Sequence, residues 1–490
     1  MVGRLGLVAL VVGAACLTAV TTAFAVDEPM IAGGVALLFL ALYLMRRLDG
    51  FGRILAVATV LLIFASSNMP SLVSFSFYAR YVAVGCLVVW ALLAHSRGIR
   101  RTDHWTSLFV TALWATAALA ALSSFWSVTP LHTLQQAIAL LLLAALTHVV
   151  LWRRWADAVA VAADLHVVYV ILSLSLVVSL GLGIAGSASA TSFNDRFQGL
   201  FSNPNMLSII CALTIPLGWA LYRQSRKRTQ LLGIVPAAIA LPITESRTAL
   251  IALLVGGLWV VLRHGVGPLA RLLVVTVGGV GLAYLFGMLP SLVGSSWVQA
   301  IAARFTDPDN GDFSNGRTQT WQAAVELWQS RPTLGFGYAS GFQLFEQTRQ
   351  NGFLDANVNL VHNSYLQWLL EMGVVGVAPL LLLLFVALRA ALAPVGALNS
   401  GLVWLIVTGL LIQVTESTMF GMGQPYPYVF WLAVAGVLVS PRSGRHVSGV
   451  PASVYISAGA DGGSYPHSPT GQRQPTAAHG SARRERMSVR

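Results

Sequence analysis

Apolar and polar residues alternate along this chain in long blocks. Apolar runs of about 17 to 25 residues are separated by short polar turns, and a helix of that length crosses ~30 Å of hydrocarbon. The pattern predicts roughly 12 to 14 transmembrane helices. We place them at about residues 6–25, 30–45, 54–68, 73–94, 105–123, 131–150, 157–182, 203–222, 229–243, 248–262, 272–289, 366–388, 398–417 and 427–439.

Composition supports the same fold class. Of the 490 residues, 56% are hydrophobic and 10% are charged, and the mean hydropathy is +0.71. Soluble globular domains carry about 25% charged residues, so this chain has too little charge to cover a water-facing surface. We predict an all-α, polytopic membrane protein with one long, partly helical external loop.

Arginines mark one side of the predicted bundle. They recur in the turn after every second predicted helix, and the positive-inside rule places such turns in the cytoplasm. This alternation predicts a protein of the cytoplasmic (inner) membrane with both termini on the cytoplasmic side. The basic turns contain Arg46, Arg47, Arg53, Arg97, Arg100, Arg101, Arg153, Arg154, Arg223, Arg226, Lys227, Arg228, Arg263, Arg271 and Arg389.

Charge and cysteine content narrow the function classes. The basic turns account for the formal net charge of +12, and they are not interleaved with aromatic residues on one face, so we predict no nucleic-acid partner. The start of the chain, with "AFA" before Val26, also fits a cleaved signal peptide, although an uncleaved first helix is favoured. Cys16, Cys86 and Cys211 lie in apolar runs, which indicates neither a disulfide framework nor a structural zinc.

The other connections face outward by this topology. The longest of them is too polar to be embedded in hydrocarbon, and within it Trp321, Val325 and Trp328 recur at helical spacing, which predicts an amphipathic helix. We interpret this segment as a small external subdomain. The outward connections are Trp126–Pro130, Gly186–Pro204, Glu245–Arg247 and Pro290–Val361.

The chain therefore divides into five predicted parts. Beyond Pro441 it is rich in Gly, Ser, Pro and Arg, and such a composition cannot offset the entropy of ordering the chain. The predicted parts are N-terminal transmembrane spans at 1–70, core helices at 71–289, the external loop at 290–361, C-terminal transmembrane helices at 362–440 and a disordered basic cytoplasmic tail at 441–490.

Four polar residues stand at the outward side of the predicted helices. Arg196 comes shortly before a helix whose start is marked by "NPN", because proline suits the first helical turn. Arg247 lies in "ESR", the polar break between two short apolar spans. Arg317 lies in "NGRTQTW" of the external segment, and His362 lies where that segment rejoins the membrane.

Each of these residues also has a simpler explanation. An arginine at a helix end commonly extends to lipid headgroups, Glu245 and Arg247 can form an ion pair, and an interfacial histidine needs no catalytic role. The acidic "DPDNGD" at Asp307–Asp312 does not fit the spacing of a calcium loop and is typical of a turn. The common outward side favours a cationic cavity for an anionic ligand anchored in lipid, such as a lipid-linked pyrophosphate.

Four motifs, in order, carry a resemblance to a known family. They are "RFQGLFSNPN", "ESRTAL", "NGRTQTWQAAVELWQSRPTLGFG" and "HNSYLQWLLEMGVVG". Together with a long external loop before the last motif, they resemble the O-antigen ligase/polymerase family of bacterial membrane glycosyltransferases. The resemblance covers about Ser123–Val439 and leaves the first 70 residues or so outside.

The resemblance implies transfer of a glycan from undecaprenyl pyrophosphate to an acceptor hydroxyl on the outer face of the membrane. Arg196 and Arg247 match family arginines that hold the pyrophosphate, and His362 matches the external-loop histidine that acts as base. Arg317, Arg80, Asn363 and Tyr365 are candidates for additional donor or acceptor contacts.

The chemistry predicted for this site needs no cofactor. The sequence has no DxD-like pair in a suitable outward position, so we predict a metal-independent transfer that inverts the sugar carbon. The expected partners are the lipid-linked donor, a hydroxyl-bearing acceptor and membrane lipids.

Three functional hypotheses remain open. A ligase and a polymerase share this chemistry and differ in the acceptor, with the ligase favoured. A transporter of a lipid-linked anionic substrate is the second class, although the chain shows no internal repeat. A scaffold within an envelope complex is the third.

Overall fold

The structure of the protein is a computed structural model in which residues 48–94, 103–192, 196–264, 317–350, 360–393 and 396–439 are described. Several predictions concern residues outside these ranges. They are the spans before residue 48 with the signal-peptide alternative, the span at about 272–289, the "DPDNGD" turn and the C-terminal tail.

Helices make up nearly all of the described chain. Their bounds are α1 Gly50–Phe64, α2 Pro70–Ala94, α3 His104–Leu122, α4 Pro130–Val149, α5 Ala158–Ile184, α6 Pro204–Ser225, α7 Thr229–Leu232, α8 Ile234–Ile243, α9 Arg247–His264, α10 Arg317–Ser330, α11 Gly341–Gln350, α12 Ser364–Ala391, α13 Ala397–Ile412 and α14 Pro425–Val439. A π-helical turn, Val150–Arg154, extends α4. Within the described ranges no named strand forms, and only two isolated β-bridges occur.

The all-α membrane class is confirmed. Every predicted span within the described ranges corresponds to helical residues, although the span at 229–243 is divided between α7 and α8 and the span at 398–417 ends at Ile412. Six of the described helical stretches are long and apolar enough to cross a membrane. These six are Pro70–Leu93, His104–Phe125, Pro130–Arg154, Ala158–Ile184, Pro204–Ser225 and Ser364–Ala391.

Local sequence explains where the helices begin. Asp49, Asp103 and Asp157 each accept a backbone N–H with the side chain at the start of α1, α3 and α5. Asn203 does the same for α6, and Pro204 takes the first helical position, as the "NPN" signal predicts. These caps satisfy N–H groups that a helix start leaves unpaired.

Helix α14 lies at the centre of the bundle and is buried around almost its whole circumference. Lipid is as apolar as leucine, so close packing holds membrane helices together more than hydrophobic transfer does. Small residues provide that closeness: a Cβ on Gly401 of α13 would come within 2.4 Å of the Pro216 carbonyl oxygen of α6. Helices α6, α13 and α14 therefore form a tightly packed core.

The connections gather at two opposite ends of the bundle. At one, which we call the loop end, contacts join residues 65–69, 123–130, 185–203, 244–246, 331–341, 360–363 and 413–424. At the other, the arginine end, Arg154 forms a bidentate pair with Asp164 at 2.6 Å and contacts Asp49 at 2.9 Å. There Arg263 also donates to the Leu392 carbonyl at 3.1 Å. This division matches the predicted alternation of turns.

Helix α12 is interrupted near its start, at Gly373. The backbone of Gly373 has φ of 60°, and the segment Arg331–Gly337 fills the break. Val374 N–H donates to the Pro332 carbonyl at 2.9 Å, and Gly337 N–H donates to the Glu371 carbonyl at 2.8 Å. Backbone groups freed by a break inside a membrane protein need partners, and this loop segment supplies them.

We expect Gly373→Ala to destabilise the protein by at least about 2 kcal/mol. The added Cβ would lie 2.3 Å from the Thr333 carbonyl oxygen, in a left-handed conformation that L side chains rarely adopt. Thermal unfolding in detergent measures the effect. The control is Gly85→Ala, because nothing lies within 4 Å of its Cβ position. Equal melting temperatures for the two variants would contradict this account of the break.

Candidate functional site

One carboxylate joins three polar segments at the loop end. Glu416 Oε1 accepts hydrogen bonds from Arg317 Nη2 at 2.8 Å and from Asn205 Nδ2 at 3.0 Å. Its other oxygen, Oε2, lies 3.6 Å from His362 Nδ1. Only 10% of the Glu416 side chain is exposed, so these groups replace the water that would otherwise solvate the carboxylate.

The loop that carries Glu416 is fixed against the start of α12. The buried Ser364 hydroxyl accepts the N–H groups of Thr418 and Met419 at 2.7 and 3.0 Å. Ser364 N–H donates to the Gln413 carbonyl at 2.9 Å. The position of the carboxylate relative to His362, two residues before Ser364, is therefore set by backbone contacts.

His362 stands in a strained backbone conformation, with φ of 49°. Few residues other than glycine adopt this left-handed region, and those that do are held there by their surroundings. On one side Trp321 Nε1 donates to the Val361 carbonyl at 2.9 Å, and on the other Asn363 N–H donates to Ser417 Oγ at 3.1 Å. The His362 side chain is 35% exposed, so a substrate can reach it.

Asn363 and Tyr365 have structural partners. Asn363 Oδ1 accepts the N–H groups of Tyr365 and Leu366, each at 3.0 Å, and thereby caps α12. The Tyr365 hydroxyl donates to the Leu410 carbonyl of α13 at 2.9 Å. Their suggested contacts with donor or acceptor stay predictions.

Arg196 is held by two neighbouring segments. Its Nε and Nη2 atoms donate to the Thr244 carbonyl at 3.1 and 2.8 Å, and Nη2 also donates to Asn205 Oδ1 at 3.1 Å. Asn205 in turn contacts Glu416. Arg196 therefore belongs to the same polar cluster as Arg317 and His362.

Arg247 begins α9 immediately after the turn that Arg196 contacts. Helix α8 ends at Ile243 and α9 starts at Arg247, which agrees with the predicted tight turn. Glu245 within it has φ of 54°, a second strained residue at the loop end. The predicted pair Arg196 and Arg247 thus lies at one turn, although the two residues are far apart in sequence.

Arg317 is the first residue of α10, the helix predicted in the external segment. The helix is confirmed, but the predicted apolar stripe is partly wrong because Val325 is 36% exposed. Ala323 and Ala324 share an apolar cluster with Leu370 of α12, and the two tryptophans pack against that cluster. The buried residues of α10 are Thr320, Ala323 and Ala324, while Trp321 and Trp328 are partly buried.

Arg80 lies deeper in its helix than the sequence predicts. Helix α2 begins at Pro70, and a rise of 1.5 Å per residue puts Arg80 about 15 Å further along. Its guanidinium is 4.4 Å from the Phe77 ring centroid and donates to the Gly423 carbonyl at 2.9 Å. These contacts tie Arg80 to the loop between α13 and α14, and they do not include Glu416. Its role as a ligand contact stays a prediction.

A second buried carboxylate, Glu371, organises the loop beside the site. It accepts the N–H groups of Ala339 at 2.8 Å and Gly341 at 3.1 Å, and the amide of Gln367 at 2.8 Å. Tyr338 donates to the Phe420 carbonyl at 2.8 Å. Burial first, and then the charge of Glu371, raise the pKa of Tyr338 well above its ordinary value, so this phenol remains a neutral donor.

The side chains at the loop end define what the site can do. Arginine guanidinium groups bind oxyanions bidentately, and an imidazole near a carboxylate can accept and release a proton. Across the described ranges, no three or more His, Cys, Asp or Glu side chains stand close enough to hold a metal ion. The arrangement is thus suited to binding an anion and to moving a proton beside it.

Sequence reasoning missed Glu416, Asn205 and Ser364. The prediction placed Glu416 inside the apolar span at 398–417, but α13 ends at Ile412, so the polar residues of "QVTESTMFG" belong to the turn between two apolar spans. The alternation that assigns the other outward turns assigns this one to the same side. Asn205 was noted only as part of a helix-start signal.

Fold and site together define a multi-pass α-helical membrane protein with a cationic polar cluster at one end. Residues 232–381 match the family model of O-antigen ligase. This match confirms the family resemblance over those residues. The family supports a membrane glycosyltransferase of ligase or polymerase type. A search of curated proteins finds no match to the chain.

The matched range includes only part of the cluster. Arg247, Arg317 and His362 fall inside residues 232–381, whereas Arg196 and Glu416 fall outside. Contacts in the structure connect the two sets, because Asn205 and Glu416 join Arg196 to Arg317.

We expect Trp321→Phe to lower stability by about 1–3 kcal/mol, because the Val361 carbonyl would lose its donor in a buried position. Trp328→Phe is the matched control, since its indole donates to the Pro332 carbonyl at an exposed position. Melting temperatures of the two variants in detergent measure the difference. An equal or larger loss for Trp328→Phe would show that the Trp321 hydrogen bond does not hold the chain before His362.

Proposed function

We propose that this protein transfers a glycan from undecaprenyl pyrophosphate to an acceptor hydroxyl on the outer face of the cytoplasmic membrane, as an O-antigen ligase-type enzyme. One observation carries the proposal. Glu416 contacts Arg317 and lies near His362, and Asn205 links it to Arg196, so residues predicted from separate segments share one cluster. The match to the O-antigen ligase family supports the reaction class.

In this proposal the two arginines at the Thr244 turn, Arg196 and Arg247, bind the pyrophosphate leaving group. When a sugar leaves pyrophosphate, negative charge grows on the oxygen that bridged sugar and phosphorus. Arg196 and Arg247 place planar, permanently charged guanidinium groups at this end, and such groups neutralise phosphate oxygens without a metal ion. Binding of the pyrophosphate at the membrane boundary leaves its polyprenyl chain in lipid.

In this proposal His362 is the base that activates the acceptor hydroxyl. Its imidazole takes the proton of the acceptor hydroxyl, and the acceptor oxygen forms a bond to the anomeric carbon as the bond from that carbon to the pyrophosphate oxygen breaks. The electron pair of the broken bond leaves on the pyrophosphate. Attack opposite the leaving group inverts the anomeric configuration, and the reaction consumes no cofactor.

Topology supports the side of the membrane. The described arginines at the arginine end include Arg154, Arg263 and Arg389. The positive-inside rule assigns such an end to the cytoplasm, which supports an outward-facing loop end. A polymerase that joins lipid-linked repeat units uses the same chemistry and is the alternative within the family. The clustering of Arg317, Glu416 and His362 at one end favours an enzyme over a transporter, whose ionisable groups would lie near the midplane.

We expect His362→Ala to lower kcat at least about 100-fold, because a positioned base contributes about 10²- to 10⁴-fold to such a transfer. Arg247→Ala is expected to lower kcat/KM for the donor by about 100-fold or more. The measurement incubates purified protein with a polyprenyl-pyrophosphate glycan and candidate acceptors. Lengthening of the donor glycan identifies a polymerase, and capture by a different acceptor identifies a ligase.

Two further variants are controls for the effect of removing a histidine or an arginine outside the proposed site. His104→Ala removes an exposed histidine at the arginine end, and Arg349→Ala removes an external arginine whose partner is Glu346. Both are expected to retain wild-type turnover. Transfer that is unchanged in His362→Ala and Arg247→Ala would refute the assigned site and favour the scaffold hypothesis.

We expect the product to carry the anomeric configuration opposite to that of the donor, because one direct displacement inverts the reacting carbon. Nuclear magnetic resonance of the newly formed linkage measures the configuration, and transfer after treatment with EDTA tests for a metal requirement. Retention of configuration would contradict direct displacement. Loss of activity in EDTA, restored by added Mg²⁺ or Mn²⁺, would contradict the metal-independent mechanism.

A further inference from the structure

Glu416 has two oxygens that face different partners. Oε1 accepts from Arg317 and Asn205, whereas Oε2 faces His362 Nδ1 at 3.6 Å. The second distance is slightly longer than a hydrogen bond. The arginine and the imidazole thus share one carboxylate, and the arginine makes the closer contact.

The Glu416 carboxylate is less accessible from outside than the His362 imidazole. The Glu416 side chain is 10% exposed, against 35% for His362. The segments around it are fixed, because Ser364 accepts the N–H groups of Thr418 and Met419. A substrate therefore has better access to the imidazole of His362 than to the carboxylate of Glu416.

An imidazole whose Nδ1 faces a carboxylate carries its proton on that nitrogen, and Nε2 is then left as the proton acceptor. Catalytic hydrogen bonds are often long in ligand-free proteins and shorten when the substrate binds. The 3.6 Å separation is consistent with such a pair before ligand binding.

We infer that Glu416 is the positioning residue for His362, and that Arg317 holds the Glu416 carboxylate in place through the other carboxylate oxygen. The inference rests on the proposed function. Arg317 and Asn205 hold Oε1, which leaves Oε2 to face Nδ1 of His362 and to orient the imidazole toward the acceptor hydroxyl.

The test compares Glu416→Gln, Glu416→Asp and Arg317→Gln with the wild type in the transfer assay. We expect Glu416→Gln to lower kcat about 10- to 100-fold, with the KM for the donor changed less than about threefold, because the amide can still accept from Arg317 but no longer orients a charged imidazole. Glu416→Asp keeps the charge and is expected to recover part of the lost kcat.

The pH–rate profile separates an electrostatic role from a merely structural one. Among the residues that the structure describes, the charged or titratable groups facing Glu416 are Arg317 of α10, His362 before α12 and Tyr426 of α14. Glu416→Gln and Arg317→Gln remove charges of opposite sign from this cluster. An electrostatic role therefore predicts that the acid limb of the pH–rate profile, where the rate falls as the pH falls, shifts in opposite directions in the two variants.

Glu346→Gln is the matched control, because Glu346 also pairs with an arginine in the external segment, where both side chains are about one-third exposed. Its kcat and acid limb should equal those of the wild type. Glu416→Gln is used only if it gives a single folded species on size-exclusion chromatography. Otherwise the kcat and acid limb of Glu416→Asp are compared with those of the wild type to test the positioning role.

Two outcomes would overturn the inference. In the first outcome, wild-type protein transfers glycan and His362→Ala does not, but both Glu416 variants keep the wild-type kcat and acid limb. Glu416 then has no positioning role, and the proposed function stands. If wild-type protein transfers no glycan to any acceptor, the proposed function fails and the inference fails with it. Opposite shifts of the acid limb in Glu416→Gln and Arg317→Gln would support both.

Discussion

A carboxylate with a tenth of its surface exposed needs cationic or hydrogen-bonding partners, and the loop end is organised around this requirement. Glu416 obtains its partners from three segments that are distant in sequence: Asn205 in the first turn of α6, Arg317 at the start of α10 and His362 before α12. Loss of any one would leave polar atoms unpaired away from bulk water. The positions of α6, α10 and α12 at this end therefore depend on one another.

The interruption of α12 imposes a second constraint of the same kind. The break at Gly373 frees backbone groups that lipid cannot satisfy, and the Arg331–Gly337 segment supplies donors and acceptors for them. The same external segment is held near His362 by the indole of Trp321. It is therefore attached both to the membrane helix and to the residue before the proposed base, which makes the described part of the external loop a support for the site.

Periodicity and charge alternation were sufficient to predict the fold class, because helix length is set by membrane thickness and arginine turns are set by sidedness. The same signals placed Arg196, Arg247, Arg317 and His362 on one side. These signals could not predict that Glu416 contacts Asn205, Arg317 and His362, because those contacts depend on how α6, α10 and α12 pack. They also misplaced Val325, because the buried face of α10 is formed by Thr320, Ala323 and Ala324, which carry little hydrophobic signal. The depth of Arg80 was missed because α2 begins before the predicted boundary.

The two ends of the bundle use arginine in physically different ways. Arg154 at the arginine end meets two carboxylates, Asp164 and Asp49, and lies 4.1 Å from the Phe51 ring centroid. Its charge is balanced within the protein, which is typical of a structural ion pair. At the loop end Arg317 shares the Glu416 carboxylate with an imidazole. An arginine held by one carboxylate can transfer its contact to an incoming anion at lower cost than an arginine held by two carboxylates. This difference in charge balance distinguishes a cation that holds the fold from one that can respond to a ligand.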